Sequence, residues 1–249
     1  MPKQKTDDLL KLVASLNRAE KRHFRLFVKR NQQANAEILF LQLFDILERT
    51  GEYDEEYLLK RITNIKKSQL SNLKAHLYKQ LLTSLRLLNR NKDEAILLRE
   101  NLDYARILYN KALYRQSLDV LDKTKKRALD VQDHTVALEI AHVEKMMQGQ
   151  YSTRSLEGRA EELGLQCTEL ATKISDTDAY SNLALRLYGL YLKIGLVSNE
   201  QDFFMVKSFF RGQLPKANYD SLDFWGKIYY CQAYAWMHLM CHEYPLCYR

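Results

Sequence analysis

The sequence contains very few of the residues that interrupt helices. Its three prolines are Pro2, Pro215 and Pro245, so more than two hundred consecutive residues contain none. Only eight of the 249 residues are glycine. Proline inside a helix removes a backbone hydrogen bond and clashes with the preceding turn, and glycine adds an entropic cost. A chain this poor in both residues is predicted to be all-α.

Composition narrows the class of protein further. The chain is 46% apolar and 28% charged, which is typical of a folded globular protein. Its four cysteines form no Cys-x-x-Cys pair, and the first of them is Cys167, which predicts reduced thiols rather than a disulfide framework. The N-terminus lacks the apolar stretch of a signal peptide, and no apolar run approaches the ~18 residues of a membrane span. We therefore expect a cytoplasmic protein without a membrane partner.

Five helices are predicted in residues 1–92. Asn17 followed by Glu20 has the spacing of a capping box, and Asp54 is a suitable N-cap. The first predicted helix begins after a cap at Thr6, and the fourth is a short helix that begins after Asp54. The second, third and fifth are predicted over residues 18–30, 36–49 and 68–90. The last of these carries leucines at helical spacing, which predict one buried face: Leu70, Leu73, Leu77, Leu81, Leu85 and Leu88.

Charge divides the chain into two parts. Residues 1–92 contain 19 Lys and Arg against 10 Asp and Glu, whereas residues 93–249 contain 19 against 21. The polar segment 89–94 lies where this balance changes. We therefore predict a basic helical N-terminal module over 1–92 and a second domain over 93–249.

The second domain shows a recurring short pattern, a small residue followed two positions later by an aromatic residue. It occurs as Ala112-Leu113-Tyr114 and again as Gly149-Gln150-Tyr151. A third occurrence at Gly195 has Val197 in the aromatic position, and a fourth is His242-Glu243-Tyr244. Ala105 and Ser117 provide further small residues around the first occurrence. This pattern predicts turns between closely packed helices, separated by 37, 46 and 47 residues.

Over residues 95–249 this pattern resembles the tetratricopeptide-repeat (TPR) superfamily, as an irregular member with helices longer than the standard repeat of about 34 residues. The stretch 15–27 (SLNRAEKRHFRLF), together with 69–74 (QLSNLK) and 81–86 (LLTSLR), resembles the opening of a family of uncharacterised bacterial proteins with such repeats. The resemblance implies a TPR-like solenoid of antiparallel helix pairs that binds proteins and has no known activity.

In such solenoids the first helix of each pair lines a concave groove, and tyrosines are concentrated on the predicted first helices. Tyrosine offers a large contact area and a polar tip, so the cluster predicts a groove for a protein or peptide segment. The predicted groove residues are Tyr180, Tyr188, Tyr191, Tyr230, Tyr234, Arg186 and Lys193. Lys173 and Lys207 are further candidates to hold acidic groups. The alternative for each tyrosine is ordinary packing between helices.

Two basic stripes occur in the N-terminal module. The first is Arg18, Arg22, Arg25 and Lys29, and the second is His76, Lys79, Arg86 and Arg90 with Thr83 between them. Each spacing places its residues on one helical face. If both faces point the same way, they would suit a phosphate backbone, so the alternative function is a nucleic-acid-associated regulator. Two ordinary solvated faces explain the same pattern.

Evidence for chemistry is sparse. His238, Cys241 and His242 share one helical face, with Cys247 nearby, but a helix this rich in aromatic and sulfur-containing residues favours a packed apolar face over a metal site. The sequence contains no phosphate-binding glycine loop, no Gly-x-Ser-x-Gly and no His-Glu-x-x-His. We therefore predict no catalytic residues, no metal and no cofactor, and a scaffold rather than an enzyme.

The C-terminus suggests a longer protein. Pro245 suits the first position of a helix, yet four residues follow it where a repeat helix needs about a dozen. We expect this chain to be the N-terminal part of a longer protein. That hypothesis predicts an uncovered apolar face at Tyr234, Trp236, Met237 and Met240.

Overall fold

A computed structural model describes residues 2–30, 35–62, 65–150 and 158–248. Within those ranges all regular structure is helical and no strand occurs, which confirms the all-α prediction. None of the described helices has both the length and the apolar character that crossing a bilayer requires. The α-helices are α1 (Pro2–Ser15), α2 (Arg18–Arg30), α3 (Asn35–Thr50), α4 (Glu55–Arg61), α5 (Lys67–Asn89), α6 (Glu94–Asn110), α7 (Tyr114–Asp130), α8 (His134–Gln150), α9 (Arg159–Ile194), α10 (Glu200–Gln213) and α11 (Phe224–Met240), with short 3₁₀ helices at Tyr219–Ser221 and Tyr244–Tyr248.

Local capping sets the helix starts in the N-terminal part. The amide of Asn17 donates to Glu20 Oε2 at 2.8 Å, and the amide of Glu20 donates to Asn17 Oδ1 at 3.0 Å, so the predicted capping box is confirmed. Asp54 caps α4 as predicted, by accepting from two backbone amides. The predicted cap at Thr6 is wrong, because α1 already begins at Pro2. Proline suits that first position, since its missing N–H would have no helical partner there.

The chain forms two compact units, Met1–Leu97 and Leu98–Arg249. The core of the first unit is built from α1 to α5. Its rings Phe24 and Phe44 lie 4.8 Å apart, and the α5 leucines Leu70, Leu77 and Leu81 are buried, as the leucine spacing predicts. The first unit therefore owes its core to the apolar faces visible in the sequence.

In the second unit, short turns reverse the chain between α6 and α7 and between α7 and α8. Ala112 and Gln132 have φ values of 60° and 59°, which lie in the left-handed region. After each, an amide bonds back across five residues, Leu113 to Leu108 and Asp133 to Ala128, so both helices end in a Schellman motif. The turn predicted at Ala112 is therefore present. Close packing follows at once, since Ser117 Oγ donates to the Ala105 carbonyl at 2.7 Å.

A single long helix follows. The helix α8 ends at Gln150, one residue after Gly149, and the rest of the turn predicted there, including Tyr151, lies outside the described residues. The next helix, α9, continues for 36 residues until Gly195, whose φ of 71° ends it where a turn was predicted. Two glycines within α9, Gly164 and Gly189, do not break it, because one glycine costs only about 1 kcal/mol in a helix that packs along its length.

Contacts within the second unit define helix directions. Arg99 lies 3.8 Å from Asp133, and Arg106 lies 2.6 Å from Glu139. Because a higher residue number on α6 pairs with a higher residue number at α8, the two helices run parallel, at an offset of 33 to 34 residues. The α9 and α11 contacts also rise together, from Tyr180–Tyr230 to Tyr188–Trp236. By contrast, α10 runs antiparallel to α11, because Lys207 meets Met237 whereas Phe210 meets Tyr234.

The last helix is more covered than the sequence suggested. Met237 and Met240 are buried in a core that α9, α10 and α11 share, so the predicted uncovered face is wrong for these two residues. Tyr234 and Trp236 are half-buried against the same core. Valine, phenylalanine and leucine side chains from α9 and α10 fill the space around the methionines.

Candidate functional site

Three of the predicted groove tyrosines lie in a stack between α9 and α11. Tyr180 is only 2% exposed, and its hydroxyl donates to the Ala217 carbonyl at 2.7 Å. Its ring centroid lies 5.2 Å from that of Tyr230, which in turn stacks on Tyr234 at 4.4 Å. The structure thus places Tyr180 in the core, and Tyr230 and Tyr234 beside it, rather than in an open groove.

Burial raises the pKa of Tyr180 and of Tyr234, and a hydrogen bond with Tyr230 raises the pKa of Tyr234 further. Both phenols are therefore neutral at physiological pH. Neutral phenols can be packed without the cost of burying a charge. These rings accordingly fix the spacing of α9 and α11, which sets the width of the open surface beside them.

Tyr188 and Tyr191 belong to a different cluster around Trp236. Their ring centroids lie 5.2 and 5.3 Å from the Trp236 ring. Tyr188 is 43% exposed and forms one wall of an open groove of about 410 Å³ between α9 and α11. The lining residues of this α9–α11 groove are Ser181, Ala184, Leu185, Tyr188, Tyr229, Gln232 and Trp236.

Apolar side chains extend along the groove on both helices. On α9, Leu185 is 65% exposed and Leu192 is 66% exposed, and on α11 the exposed Trp225 lies on the same face as Tyr229. None of the seven lining residues is charged. Leu185, Leu192 and Trp225 thus leave large apolar side chains open to solvent beside the groove.

The predicted basic clamps do not line this groove. Arg186 is exposed and donates from Nη1 to Gln213 Oε1 on α10. Lys193 and Lys173 are also exposed, but neither is a lining residue. Lys207 is engaged elsewhere, because its Nζ lies 2.6 Å from Glu243 Oε2. The groove is therefore apolar, without the cationic clamps that the sequence suggested.

A second depression, of about 520 Å³, lies between α8 and α9. Its lining residues are Leu138, Ala171, Ile174, Ser175, Asp178, Ala179 and Asn182. Asn182 here and Leu185 in the α9–α11 groove are three residues apart, so they are neighbours on one face of α9. One side of this long helix thus carries a depression of mixed polar and apolar lining, followed by the α9–α11 groove.

The first basic stripe is partly neutralised. Arg25 donates to Asp45 Oδ1 at 2.9 Å and also pairs with Glu48, both on α3. Desolvation by partial burial lowers the pKa of Arg25, but hydrogen bonds to the two carboxylates outweigh it and raise the pKa overall. Arg18, Arg22 and Lys29 are exposed and show no ion pair among the described residues. Within the described part of the chain, these three residues keep the first stripe positively charged at the surface.

The second stripe lies on α5. The His76 ring packs against Phe40 with centroids 5.1 Å apart, and Arg90 is half-buried, which leaves Lys79 and Arg86 as the exposed cations. Contact between α2 and α5 runs through His23 and Ser84, at 2.9 Å, on other faces of both helices. In the second stripe, Lys79 and Arg86 thus keep their charges at the surface of α5.

Three side chains at the end of α11, those of His238, Cys241 and His242, have surroundings other than a metal site. His238 Nδ1 lies 2.6 Å from Glu243 Oε2, and both ring nitrogens of His242 meet oxygen atoms, of Tyr244 and of the Val197 carbonyl. Cys241 is buried, which raises the pKa of its thiol. No group of three or more His, Cys, Asp or Glu side chains able to hold a metal occurs in the described ranges.

The structure also contains two polar clusters that were not predicted from the sequence. In the first, Lys125 Nζ lies 2.7 Å from Glu144 Oε2 and Arg159 Nη2 lies 3.1 Å from the same oxygen, with Lys125 and Glu144 both buried. This ionic cluster joins α7, α8 and α9. The sequence does contain a signal for this cluster, because Lys125 and Glu144 each interrupt the apolar face of their helix. Lys125, for example, lies between Leu121 and Ala128 on the buried face of α7.

The second cluster surrounds Asp223, the N-cap of α11. Its Oδ1 accepts from the Gly226 amide at 2.6 Å and from Thr177 Oγ1 at 3.0 Å, and its Oδ2 lies 3.1 Å from His134 Nε2. Asp223 thus ties the start of α11 to α8 and α9, next to one end of the α9–α11 groove. Sequence spacing alone carries no signal for a contact between residues so distant in the chain.

Compared with models of known protein families, with characterised proteins and with solved structures, the chain matches none of them.

Proposed function

We propose that the protein is a non-enzymatic interaction scaffold in which TPR-like helix pairs present the α9–α11 groove to a segment of another protein. The observation that carries this proposal is the open apolar groove beside Tyr188 and Trp236, with Leu185 largely exposed on its wall. Burying exposed aliphatic and aromatic surface contributes about 25 cal/mol per Å² of favourable free energy, so a partner that covers this groove would be stabilised there.

Helix directions support the TPR-like arrangement. In a stack of antiparallel pairs, the first helices of neighbouring pairs run parallel and the second helix of each runs antiparallel to them. The parallel pairs α6 with α8 and α9 with α11 have that relation, and the offset of 33 to 34 residues between α6 and α8 is close to the standard repeat. The single long α9 makes the stack irregular.

The lining of the groove supports binding over catalysis. Its polar groups are the hydroxyls of Ser181, Tyr188 and Tyr229 and the amide of Gln232. A general acid–base pair needs a group that titrates near neutral pH, such as a histidine or a perturbed carboxyl group. The lining contains neither. The groove is built to bury apolar surface and to fix orientation with a few neutral hydrogen bonds.

The test is a comparison of two charge insertions on exposed side chains. Leu185→Glu places a charge in the groove, whereas Phe204→Glu, at a side chain 74% exposed on α10, places one outside it. Proteins captured from native cells by the wild-type chain should remain on Phe204→Glu and fall at least tenfold on Leu185→Glu. Equal capture by both variants, at equal thermal stability, would exclude the groove as the binding site.

The second candidate function is nucleic-acid binding. It is favoured by Arg18, Arg22 and Lys29, which are exposed on one face of α2. Binding to phosphates would release counterions, so affinity for mixed-sequence DNA or RNA should fall steeply between low and high salt. This salt dependence separates the second candidate from the groove scaffold.

Reversing these three charges to Glu tests it, and Arg25 is left intact because it holds α3. The matched control reverses Lys111, Arg115 and Lys123, which are exposed elsewhere. Loss of affinity in the α2 variant alone would support phosphate contact. Failure of the wild-type chain to bind at low salt would remove this candidate.

A further inference from the structure

We infer that the partner segment occupies the α9–α11 groove as an amphipathic α-helix, held through an uncharged apolar stripe, and not as an extended strand. This inference rests on the proposed function and specifies the chemistry of its partner. It follows from three properties of the groove: the state of its backbone, the charge of its lining and the spacing of its exposed side chains.

The backbone of the walls is already satisfied. Both walls lie inside long helices, α9 from Arg159 to Ile194 and α11 from Phe224 to Met240. Their N–H and C=O groups therefore bond within each helix, so the groove has no sheet edge to offer an extended chain. A strand lying on this apolar surface would leave backbone groups unpaired at a cost of about 1–3 kcal/mol each. A helix brings its own backbone hydrogen bonds with it.

The absence of charge among the lining residues determines which side chains of the partner helix can face the groove. Leu185, Ala184 and Trp236 are apolar, and the polar lining side chains are neutral. A charged side chain pressed between them would lose its hydration without gaining an ionic partner. The complementary surface is therefore a stripe of Leu, Ile, Met or Phe. The Tyr188 and Tyr229 hydroxyls and the Gln232 amide can bond polar groups at the margins of that stripe.

The spacing of the wall residues matches a helix of about three turns. On α11, Trp225, Tyr229, Gln232 and Trp236 follow one another at intervals of 4, 3 and 4 residues, which spans about 16 Å along the axis. On the opposite wall, Ser181 and Leu192 are likewise 11 residues apart, with Leu185 and Tyr188 between them. A partner helix with apolar side chains at i, i+4, i+7 and i+11 covers the same distance on one face.

The experiment uses two libraries of 18-residue displayed peptides, selected on the full chain. The first randomises apolar residues at i, i+4, i+7 and i+11 in a helix-forming background. The second presents the same residues between prolines at every third position, which prevents a helix. Enriched peptides are then synthesised, and their dissociation constants are measured on the wild-type chain, on Leu185→Glu and on Phe204→Glu.

The inference predicts binders from the helical library whose affinity falls at least tenfold on Leu185→Glu, changes less than twofold on Phe204→Glu, and is lost when a proline replaces a central residue. Groove-sensitive binders from the proline library, alone or at equal affinity, would overturn the helical partner and leave the scaffold standing. Absence of groove-sensitive binders from both libraries would overturn the scaffold as well.

Discussion

The two halves of α9 are held to their neighbours by different physical means. Near its start, Arg159 joins Lys125 and Glu144 in a buried ionic cluster with α7 and α8. Near its end, Tyr180 joins the aromatic stack that includes Tyr230. The attraction within a buried ion pair is offset by the free energy needed to remove its charges from water. Stacked rings carry no such desolvation penalty, and burying their apolar surface is favourable. The ionic end favours one arrangement, and the aromatic end contributes more stability.

This contrast can be tested by the free energy of unfolding of the second unit. Both tryptophans of the chain, Trp225 and Trp236, lie on α11. Tryptophan fluorescence during chemical denaturation therefore reports on the second unit alone.

The largest loss is expected at the aromatic end. Phe210 is buried, and its ring centroid lies 4.8 Å from that of Tyr234. Phe210→Ala removes that contact and leaves a cavity, so it should lower the free energy of unfolding by about 3–5 kcal/mol. Phe204→Ala, at an exposed ring of the same helix, is the control and should change it by less than about 0.5 kcal/mol. Similar losses for both would mean that the Phe210–Tyr234 contact, which joins α10 to the stack, does not stabilise the second unit.

The ionic end should lose somewhat less. Glu144→Ala strands the buried Lys125 ammonium, and we expect a loss of about 3 kcal/mol, at the lower end of the usual range. The reason is that Gln166 Oε1 lies 3.4 Å from Lys125 and Glu162 still pairs with Arg159.

The double variant Lys125→Met/Glu144→Leu sharpens the comparison. Removing both charges removes their desolvation cost, so most of the stability lost in Glu144→Ala should return. If the double variant is as unstable as the single one, the cluster stabilises the fold through the ion pair itself.

An intermediate effect is expected at the cap of α11. Asp223→Ala removes the acceptor of Thr177 and Gly226 and leaves His134 without its carboxylate neighbour, which should cost about 2 kcal/mol. Asn199→Ala is the matched control, because Asn199 caps α10 through the Asp202 amide and should cost about 1 kcal/mol. Equal costs would show that the contacts of Asp223 to α8 and α9 add nothing.

A smaller and pH-dependent effect is expected at Glu243. Burial opposes its ionisation, but hydrogen bonds from Lys207 and His238 outweigh burial and lower its pKa below the ordinary value of 4.5. A carboxyl group with a lowered folded pKa stabilises the fold above its unfolded pKa, and that contribution disappears as pH falls through the folded pKa. Glu243→Gln should therefore cost about 1 kcal/mol at pH 7 and almost nothing well below pH 4.5, as measured by denaturation across pH. A difference independent of pH would contradict the assignment.

The smallest effect is a gain. Ala112 is left-handed, a conformation that costs an L-residue about 1–2 kcal/mol and costs glycine nothing. After the greater freedom of unfolded glycine is subtracted, Ala112→Gly should stabilise the second unit by about 0.5–1 kcal/mol. Gln132→Gly is the comparison, because Gln132 Oε1 also accepts from the Phe224 amide and that bond would be lost. An equal gain at both turns would show that this bond is unimportant.

The sequence predicted local structure well because local structure depends on neighbours in the chain. The capping box at Asn17 and the turn at Ala112 both follow from residues within a few positions. The end of α8 at Gln150, one residue after Gly149, agrees with the same kind of local signal.

The candidate site was predicted only in part. Tyr188 was predicted, but the adjacent tyrosines Tyr229 and Tyr230 on α11 face different directions, so Tyr229 lines the groove while Tyr230 packs against Tyr180. The helical period shows that such residues lie on different faces of a helix, but it does not show which face is covered by neighbouring helices. The contact of Asp223 with His134 joins residues 89 positions apart, and only tertiary structure could reveal it.

The length of α9 has a mechanical consequence. From Arg159 at the ionic cluster to Leu192, seven residues beyond the groove-lining Leu185, 33 helical steps form a stiff rod of about 50 Å. A tilt of about 5° at the Arg159 end, with the rod rigid, displaces Leu192 by about 4 Å, roughly the width of a methyl group. Any event that reorganises the charges around Glu144 would therefore act as a lever on the mouth of the groove, far from the place where it occurs.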